Sequence, residues 1–306
     1  MMTQPHIVVV GSSNTDLVVR AAHLPAPGET VLGGTFLTAH GGKGANQAVA
    51  AARLGGHVTF VARLGTDSFG DAAAEHFRSE GIDTRFLIRD PDAPTGVALI
   101  GVDESTGENA IIVASGANAR LNVSDVAHAS EAIRSAAVLV CQLESPLDTV
   151  YAALRTADAA GVPVILNPAP AQPLPDEILA LVTVLTPNQG EAALLAGVTG
   201  SSPTEAAHSL LGRGVRSVVV TLGAAGALLV DGEGERHIAG HHFENVIDTT
   251  AAGDCFTGAL AVAIGEGHNL EYAVRFANAA AAISVTRLGA QPSLPMRAEV
   301  EELIHR

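Results

Sequence analysis

The sequence predicts a doubly wound α/β fold: a mostly parallel sheet flanked by helices, carrying a small antiparallel β lid. Three observations predict it. Short, continuously apolar runs recur along the chain, as strands buried on both faces of a parallel sheet require. Helix-length segments separate them, the alternation that generates such a sheet. Finally, hydrophobic residues are 47% of the 306, yet aromatics are 3% and Trp is absent, so the core must be aliphatic, with small-residue helices lying close on the sheet.

From the N-terminus, Ile7 to Val10 reads as the first buried strand, stopped by Gly11. The alternation then breaks from Thr15 to His40, where Leu17-Val18-Val19 and a stretch from Thr30 to Ala39 flank Pro25, Pro27 and Gly28. It resumes with a helix at Gly44 to Leu54, a strand at Val58 to Val61 and a helix at Phe69 to Ser79. A second break, Thr95 to Ala114, reads as a hairpin: apolar residues on either side of Asp103-Glu104-Ser105-Thr106-Gly107. The two breaks, about 15–40 and 95–114, are expected to form one lid on a single domain spanning 1–306. Next come a helix at Val123 to Ser135, a strand at Ala137 to Cys141, a helix at Pro146 to Ala160, and strands at Val162 to Leu166 and Val182 to Leu185. Helices at Gln189 to Ala196 and Thr204 to Gly212 precede a strand at Ser217 to Thr221, with further strands near Ala227 to Asp231 and Arg236 to Phe243. Phe256, Leu260 and Ile264 then mark one helical face, and Leu270, Val274, Ala277, Ala281 and Val285 another.

Charge and composition narrow the function. Seventeen cationic against 32 anionic side chains leave a net charge of −15, which argues against a nucleic-acid surface built on clustered Lys and Arg. No apolar run approaches the roughly 18 to 20 residues of a membrane helix. Met1-Met2-Thr3-Gln4-Pro5-His6 has no basic segment, so no secretory leader is expected. The two cysteines, Cys141 and Cys255, supply neither a disulfide framework nor a cysteine zinc site. A cytoplasmic protein without nucleic-acid or membrane partners is expected. Lys43 is the one lysine beside sixteen arginines, which makes its position informative.

Three segments carry chemistry. Asp248-Thr249-Thr250-Ala251-Ala252-Gly253-Asp254 leads straight into an amphipathic helix, and unpaired N–H groups at a helix start are a ready anion site. Asp254 there would repel a phosphate unless it takes a proton from an attacking hydroxyl; the alternative is that it simply caps the helix. Gly41-Gly42-Lys43-Gly44-Ala45-Asn46-Gln47 fits neither a dinucleotide fingerprint nor a Walker A loop. It offers close backbone approach, the Asn46 amide and the lone lysine, or else is a glycine-rich turn. Gly11-Ser12-Ser13-Asn14-Thr15-Asp16 lies beyond the first strand, where open α/β sheets bind ligands. Asn14 and Asp16, two apart, face the same way in an extended chain and could grip vicinal hydroxyls; an Asx turn is the alternative. Smaller signals are Asn188 with Glu191, a metal–phosphate site or a capping pair; Thr221 to Gly226, open to a flat ring or phosphate; and Glu144, within reach of a substrate or Lys43. No histidine spacing suggests a metal, and no base accompanies Cys255.

In their order, these segments resemble the ribokinase-like carbohydrate kinases. Gly41 to Ala48 and Asp248 to Asp254 resemble the two family signatures, and Asn14-Thr15-Asp16, Gln142 to Pro146, Leu166 to Pro170 and Val285 to Ser293 extend the likeness over nearly the whole chain. The resemblance implies ATP-dependent phosphorylation of D-ribose at O5 by a homodimer joined through its lids. It implies that Asn14, Asp16, Gly42, Lys43, Asn46 and Glu144 hold the sugar, that Asp254 is the general base, and that the N–H groups of Ala252, Gly253 and Asp254 form an anion hole. ATP would lie against Asn188, Thr221, Gly223, Gly226, Gly253 and Asn278, its Mg²⁺-bound phosphates near Glu191. A potassium ion would be held by Asp248, Thr250, Ser284, Arg287, Gly289 and Ser293, several through carbonyls. Two departures, Thr257 where relatives often carry Asn and Ala251 where many carry Gly, remove no catalytic group. The rivals are a kinase for 2-deoxyribose, another sugar or a nucleoside, and a silent sugar-binding protein. Scarce aromatics weigh against a nucleoside, and the missing fingerprint against a nicotinamide oxidoreductase.

Overall fold

The first strand, His6–Val10 (β1), buries four consecutive apolar residues completely, and the sheet grows outward from it. The computed structural model describes residues 4–198 and 200–305; Met1 to Thr3, part of the segment read as lacking a leader, lie outside them. After β1 come Asn14–Ala21 (β2), Thr35–Gly41 (β3), Lys43–Arg53 (α1), His57–Gly65 (β4), Ser68–Ser79 (α2) and Leu87–Asp90 (β5). Gly96–Asp103 (β6), Asn109–Ala114 (β7), a 3-10 turn at Gly116–Arg120, Val123–His128 (α3), Ser130–Arg134 (α4) and Val138–Cys141 (β8) follow. The alternation continues through Leu147–Asp158 (α5), Val164–Leu166 (β9), Asp176–Leu179 (α6), Val184–Leu185 (β10), Gln189–Ala196 (α7), Pro203–Gly212 (α8) and Ser217–Thr221 (β11). Ala227–Asp231 (β12), Gly234–Ile238 (β13), Ala252–Gly265 (α9), Leu270–Ser284 (α10) and Arg297–Ile304 (α11) complete it.

Among the described residues the main sheet runs β13-β12-β11-β10-β9-β8-β1-β4-β5. All its pairs are parallel except the two at the β12 and β13 edge. Alternating side chains of β1 serve two cores. Ile7 and Val9 join α1, α9 and α10 on one face, while Val8 and Val10 join α3 to α8 on the other. The second sheet, β3-β2-β6-β7, contains both segments that broke the alternation. Its outer pairs are antiparallel, but β2 and β6 at its centre run parallel, because each begins a separate excursion outward.

Three local readings change. The helix expected over Val123 to Ser135 divides at Ala129 into α3 and α4. The strand expected to reach Phe243 ends at Ile238. Leu87–Asp90, flanked by Arg85 and framed by charge, is an edge strand that its short apolar run did not announce.

Candidate active site

β1 sits between β4 and β8, so the winding of the sheet reverses beside it. The crevice beyond its carboxyl end is where open α/β sheets place ligands. Three elements are tied together there by Glu144, whose Oε2 accepts from Ser12 Oγ at 2.5 Å and from the Lys43 N–H at 3.0 Å. Gly42, at φ 88°, brings β3 against the end of β1; a Cβ there would lie 2.7 Å from the Asn14 nitrogen. Asn14 and Asp16 share one face of β2, both buried. Among the described residues, neither the Asp16 carboxylate nor Asn14 Nδ2 has a hydrogen-bond partner. Burial, then the charges of Glu144 and Asp254, push Asp16 up to about 7.

Asp254 stands in the first turn of α9, which starts after Ala251 turns the chain through a left-handed φ of 60°. It is not the cap of that helix: its carboxylate points inward, 5% exposed. Oδ2 accepts from Asn46 Nδ2 and Oδ1 from Gln47 Nε2, each at 2.9 Å. Both amides are themselves oriented. Gln142 Nε2 donates to Gln47 Oε1 at 2.6 Å; Gln291 Nε2 donates to Asn46 Oδ1 at 3.2 Å, and Gln291 Oε1 pairs with His76 Nε2 at 2.8 Å. Two donor chains thus converge on one carboxylate. Burial raises its pKa, opposed by Lys43 and the two amides, and the balance leaves it above the usual carboxylate value. Lys43 is pulled down by burial, but Asp254, Glu144 and Glu191 outweigh that and hold it above the ordinary lysine value.

The backbone N–H groups of Gly253 and Asp254 have no acceptor among the described residues. The third expected donor, Ala252, differs: its N–H turns back to the Thr249 carbonyl at 3.2 Å, closing the turn that Ala251 makes. From Asp254 a polar cleft of about 220 Å³ passes Lys43, Thr186, Asn188 and Glu191 to reach Thr221. It shares Thr221, Thr249, Ala252 and Gly253 with an apolar cavity of about 290 Å³ lined by Phe243, Val246, Ala281 and Val285. Gly223, Gly226 and Asn278 line the second cavity; Asn188 lines only the first. Asn188 and Glu191 do form a reciprocal helix cap, at 2.8 and 2.9 Å, so the capping reading holds while the pair also faces the cleft.

Residues 4–297 match the profile of the pfkB family carbohydrate kinases. The chain belongs to this family. It is 44% identical to the ribokinase of Haemophilus influenzae, over 97% of this chain and 98% of that one. The crystal structure of ribokinase from Thermotoga maritima superposes with a TM-score of 0.91 at 42% identity, covering 99% of this chain and 100% of the other. Arabidopsis thaliana ribokinase, solved with ribose and ATP, also gives a TM-score of 0.91, at 36% identity over 99% of this chain and 100% of that one.

In this pfkB kinase the segments expected to hold potassium meet. Asp248 Oδ1 accepts from the Thr250 N–H at 2.9 Å and Oγ1 at 2.6 Å, while Oδ2 accepts from the Gly289 N–H at 2.9 Å. The Ser284 and Ser293 hydroxyls donate within their own turns, to Ala281 and Ala290. The Arg287 guanidinium pairs with Glu299, and having no acceptor atom it can offer a cation only its backbone carbonyl. Among the described residues no group of three or more His, Cys, Asp or Glu could hold a metal ion. Burial pushes the Cys255 thiol up to about 12, so it is no nucleophile.

Several functional neighbours escaped the sequence reading. Gln47, Gln142, Asn167 and Gln291 lie within the motifs but carry no role there, and Asn118 and His76 lie outside them. Each is a polar side chain, buried except for the half-buried His76, that pairs with a partner more than 90 positions away. Such pairings leave no periodic trace; only the presence of uncharged amides in apolar surroundings could have flagged them.

Proposed function

We propose that this chain transfers the γ-phosphoryl group of ATP to O5 of D-ribose, with Asp254 as general base. The observation that carries this reading is the placement of Asp254: buried, raised in pKa, fixed by two amide chains, and set beside free N–H groups where two clefts join. The named relatives, one of them solved with ribose and ATP, support the choice of substrates.

The chemistry follows from positioning and charge. The sugar lies over β2, its vicinal hydroxyls on Asn14 and Asp16, with Gly42, Asn46, Glu144 and Lys43 around it. As the C5 hydroxyl attacks, Asp254 accepts its proton, a contribution typically of about 10² to 10⁴-fold. The N–H groups of Gly253 and Asp254 receive the charge that develops on the transferring group, each worth about 3 to 4 kcal/mol by analogy with other sites. Lys43 adds a half-buried positive charge on the same path. The apolar cavity takes the adenine ring, with Thr221, Gly223, Gly226 and Asn278 around it, and the Asn188–Glu191 helix start faces the phosphates and the Mg²⁺ they carry. Mg²⁺ would neutralise phosphate charge.

The Asp248 carboxylate joins the loops at Thr250 and Gly289, and with backbone carbonyls of these loops and of Ser293 it would supply the oxygen donors that hard cations take. Potassium there would fix the turn that holds the Gly253 and Asp254 donors. On the face turned away from Asp16 the lid sheet exposes Val19, Phe36, Leu99 and Ile112, and a homodimer through this face would cover them. No helix among the described residues is long and apolar enough to cross a membrane; a cytoplasmic kinase, with ATP at hand, fits.

The test is ADP release from ATP and Mg²⁺, with D-ribose, 2-deoxy-D-ribose, D-fructose and adenosine offered in parallel, in K⁺ and in Na⁺. Preference for ribose with ribose 5-phosphate as product, faster in K⁺, is expected. Preference for another acceptor would overturn the substrate, equal rates in both ions the potassium site, and ribose binding without turnover the catalytic reading.

A further inference from the structure

Asn118, in the 3-10 turn at Gly116–Arg120, is 2% exposed and spends its whole amide on Ser13, in the link from β1 to β2, and on Asn14, which opens β2. Its Oδ1 accepts from the Ser13 N–H at 2.9 Å; its Nδ2 donates to the Ser13 carbonyl at 3.0 Å and to Asn14 Oδ1 at 2.7 Å. The backbone of Ser13 settles which way this amide faces. A peptide N–H only donates and a carbonyl only accepts, so the Asn118 oxygen must meet the first and its nitrogen the second. The remaining N–H of Asn118 then requires an acceptor on Asn14, which fixes Asn14 Oδ1 toward Asn118 and leaves Asn14 Nδ2 facing away.

That nitrogen has no acceptor among the described residues, and Asp16, two positions on along the same face of β2, has no donor. Hence β2 presents one donor and one acceptor side by side. A vicinal diol satisfies both at once, one hydroxyl accepting from Asn14 while its neighbour donates to Asp16. The contact also depends on the lid: Gly96 begins β6 opposite Asn14, and a Cβ there would lie 2.2 Å from Asn14 Oδ1 and 2.3 Å from Asn118 Nδ2. The turn is anchored from outside by Arg120, whose Nε donates to Asp90 at 2.8 Å, the same carboxylate that Arg63 grips at 2.7 Å.

We propose that Asn118 is a specificity-determining positioning residue, which never touches the sugar but sets Asn14 as the donor half of a donor–acceptor pair for a vicinal diol. The inference rests on the sugar-kinase reading and adds the hydrogen-bond polarity of its sugar site.

The experiment uses the full chain and Asn118→Asp, which keeps the Ser13 N–H bond but removes both donors, so that Asn14 rotates to donate inward. The expected result is a ribose KM raised about tenfold to a hundredfold, with kcat and the KM for ATP within about threefold. In an Asn14→Ala background the same substitution should change the ribose KM by less than about threefold, because Asn118 acts through Asn14. An unchanged ribose KM, or an equal rise in both backgrounds, would overturn the proposal. Side-chain amide exchange in the unmutated protein, read by NMR, gives a test that no folding defect can spoil. Slow exchange at Asn118 with faster exchange at Asn14 in the empty protein, the latter slowed by ribose, is expected; equal protection of both without ribose would overturn it. Failure of the unmutated chain to phosphorylate ribose would sink the proposed function instead, while the amide contrast in the empty protein still reads the clamp.

Discussion

Asp254 and Asp16 show how differently one residue type is used within a single site. Asp254 receives two amide donors and the field of Lys43; Asp16 receives none, and only like charges face it. Replacing Asp254 by Asn should keep the fold and ribose binding while cutting turnover at least a hundredfold, measured as kcat beside a ribose titration. Asp16 carries a different consequence. Its ordinary value of 3.8 rises to about 7 on folding, so between those values the folded chain holds a proton that the unfolded chain has lost. Stability therefore falls as pH rises from about 4 to about 7, and the penalty is complete above that. Asp16→Asn should stabilise the empty protein less near pH 5 than near pH 8, where the gain reaches at most about 4 kcal/mol. Denaturant midpoints at the two pH values check the sign; a larger gain at pH 5 would contradict it.

At the scale of elements, the site depends on how closely α1 lies on α9. Gly258, one turn after Asp254, would place a Cβ 2.7 Å from that of Ala50 and 2.8 Å from the Gln47 carbonyl. Gly258→Ala should thus push the helices apart, costing about 1 to 3 kcal/mol and lowering kcat by separating Gln47 from Asp254. A denaturation curve and a rate would show both, and a fall in stability alone would uncouple the packing from the chemistry. The strands were legible because their apolar runs are continuous, and the start of α9 because small residues precede an amphipathic face. The division of the Val123 to Ser135 segment was not: its apolar spacing carries across Ala129, where the backbone interrupts it. Nor was the parallel pairing of β2 with β6, which depends on where two distant excursions leave the main sheet. Of the site, the charged and glycine-rich segments could be read locally. The amides that orient them could not, since Gln47 and Asp254 stand 207 positions apart.

Across the whole molecule, the lid gathers exposed apolar side chains on its outer face, with Ile112 at 69% and Phe36 at 64%. Patches of this kind mark association surfaces. Ile112→Glu should shift the proposed dimer to monomer in sedimentation and raise the ribose KM, because a lid without its partner closes less firmly over Asn14 and Asp16. A variant that stays dimeric would place the contact elsewhere.

The single lysine has a further consequence. The sixteen other cationic side chains are all arginine, so Lys43, beside Asp254 and Glu144 in the cleft, is the chain's one side-chain amine open to acylating agents. Surface residues cannot dilute such a reagent. Apart from the α-amino group, acetylation of this protein would be a single event at a single address, with inactivation tracking mass gain one to one and bound nucleotide shielding it.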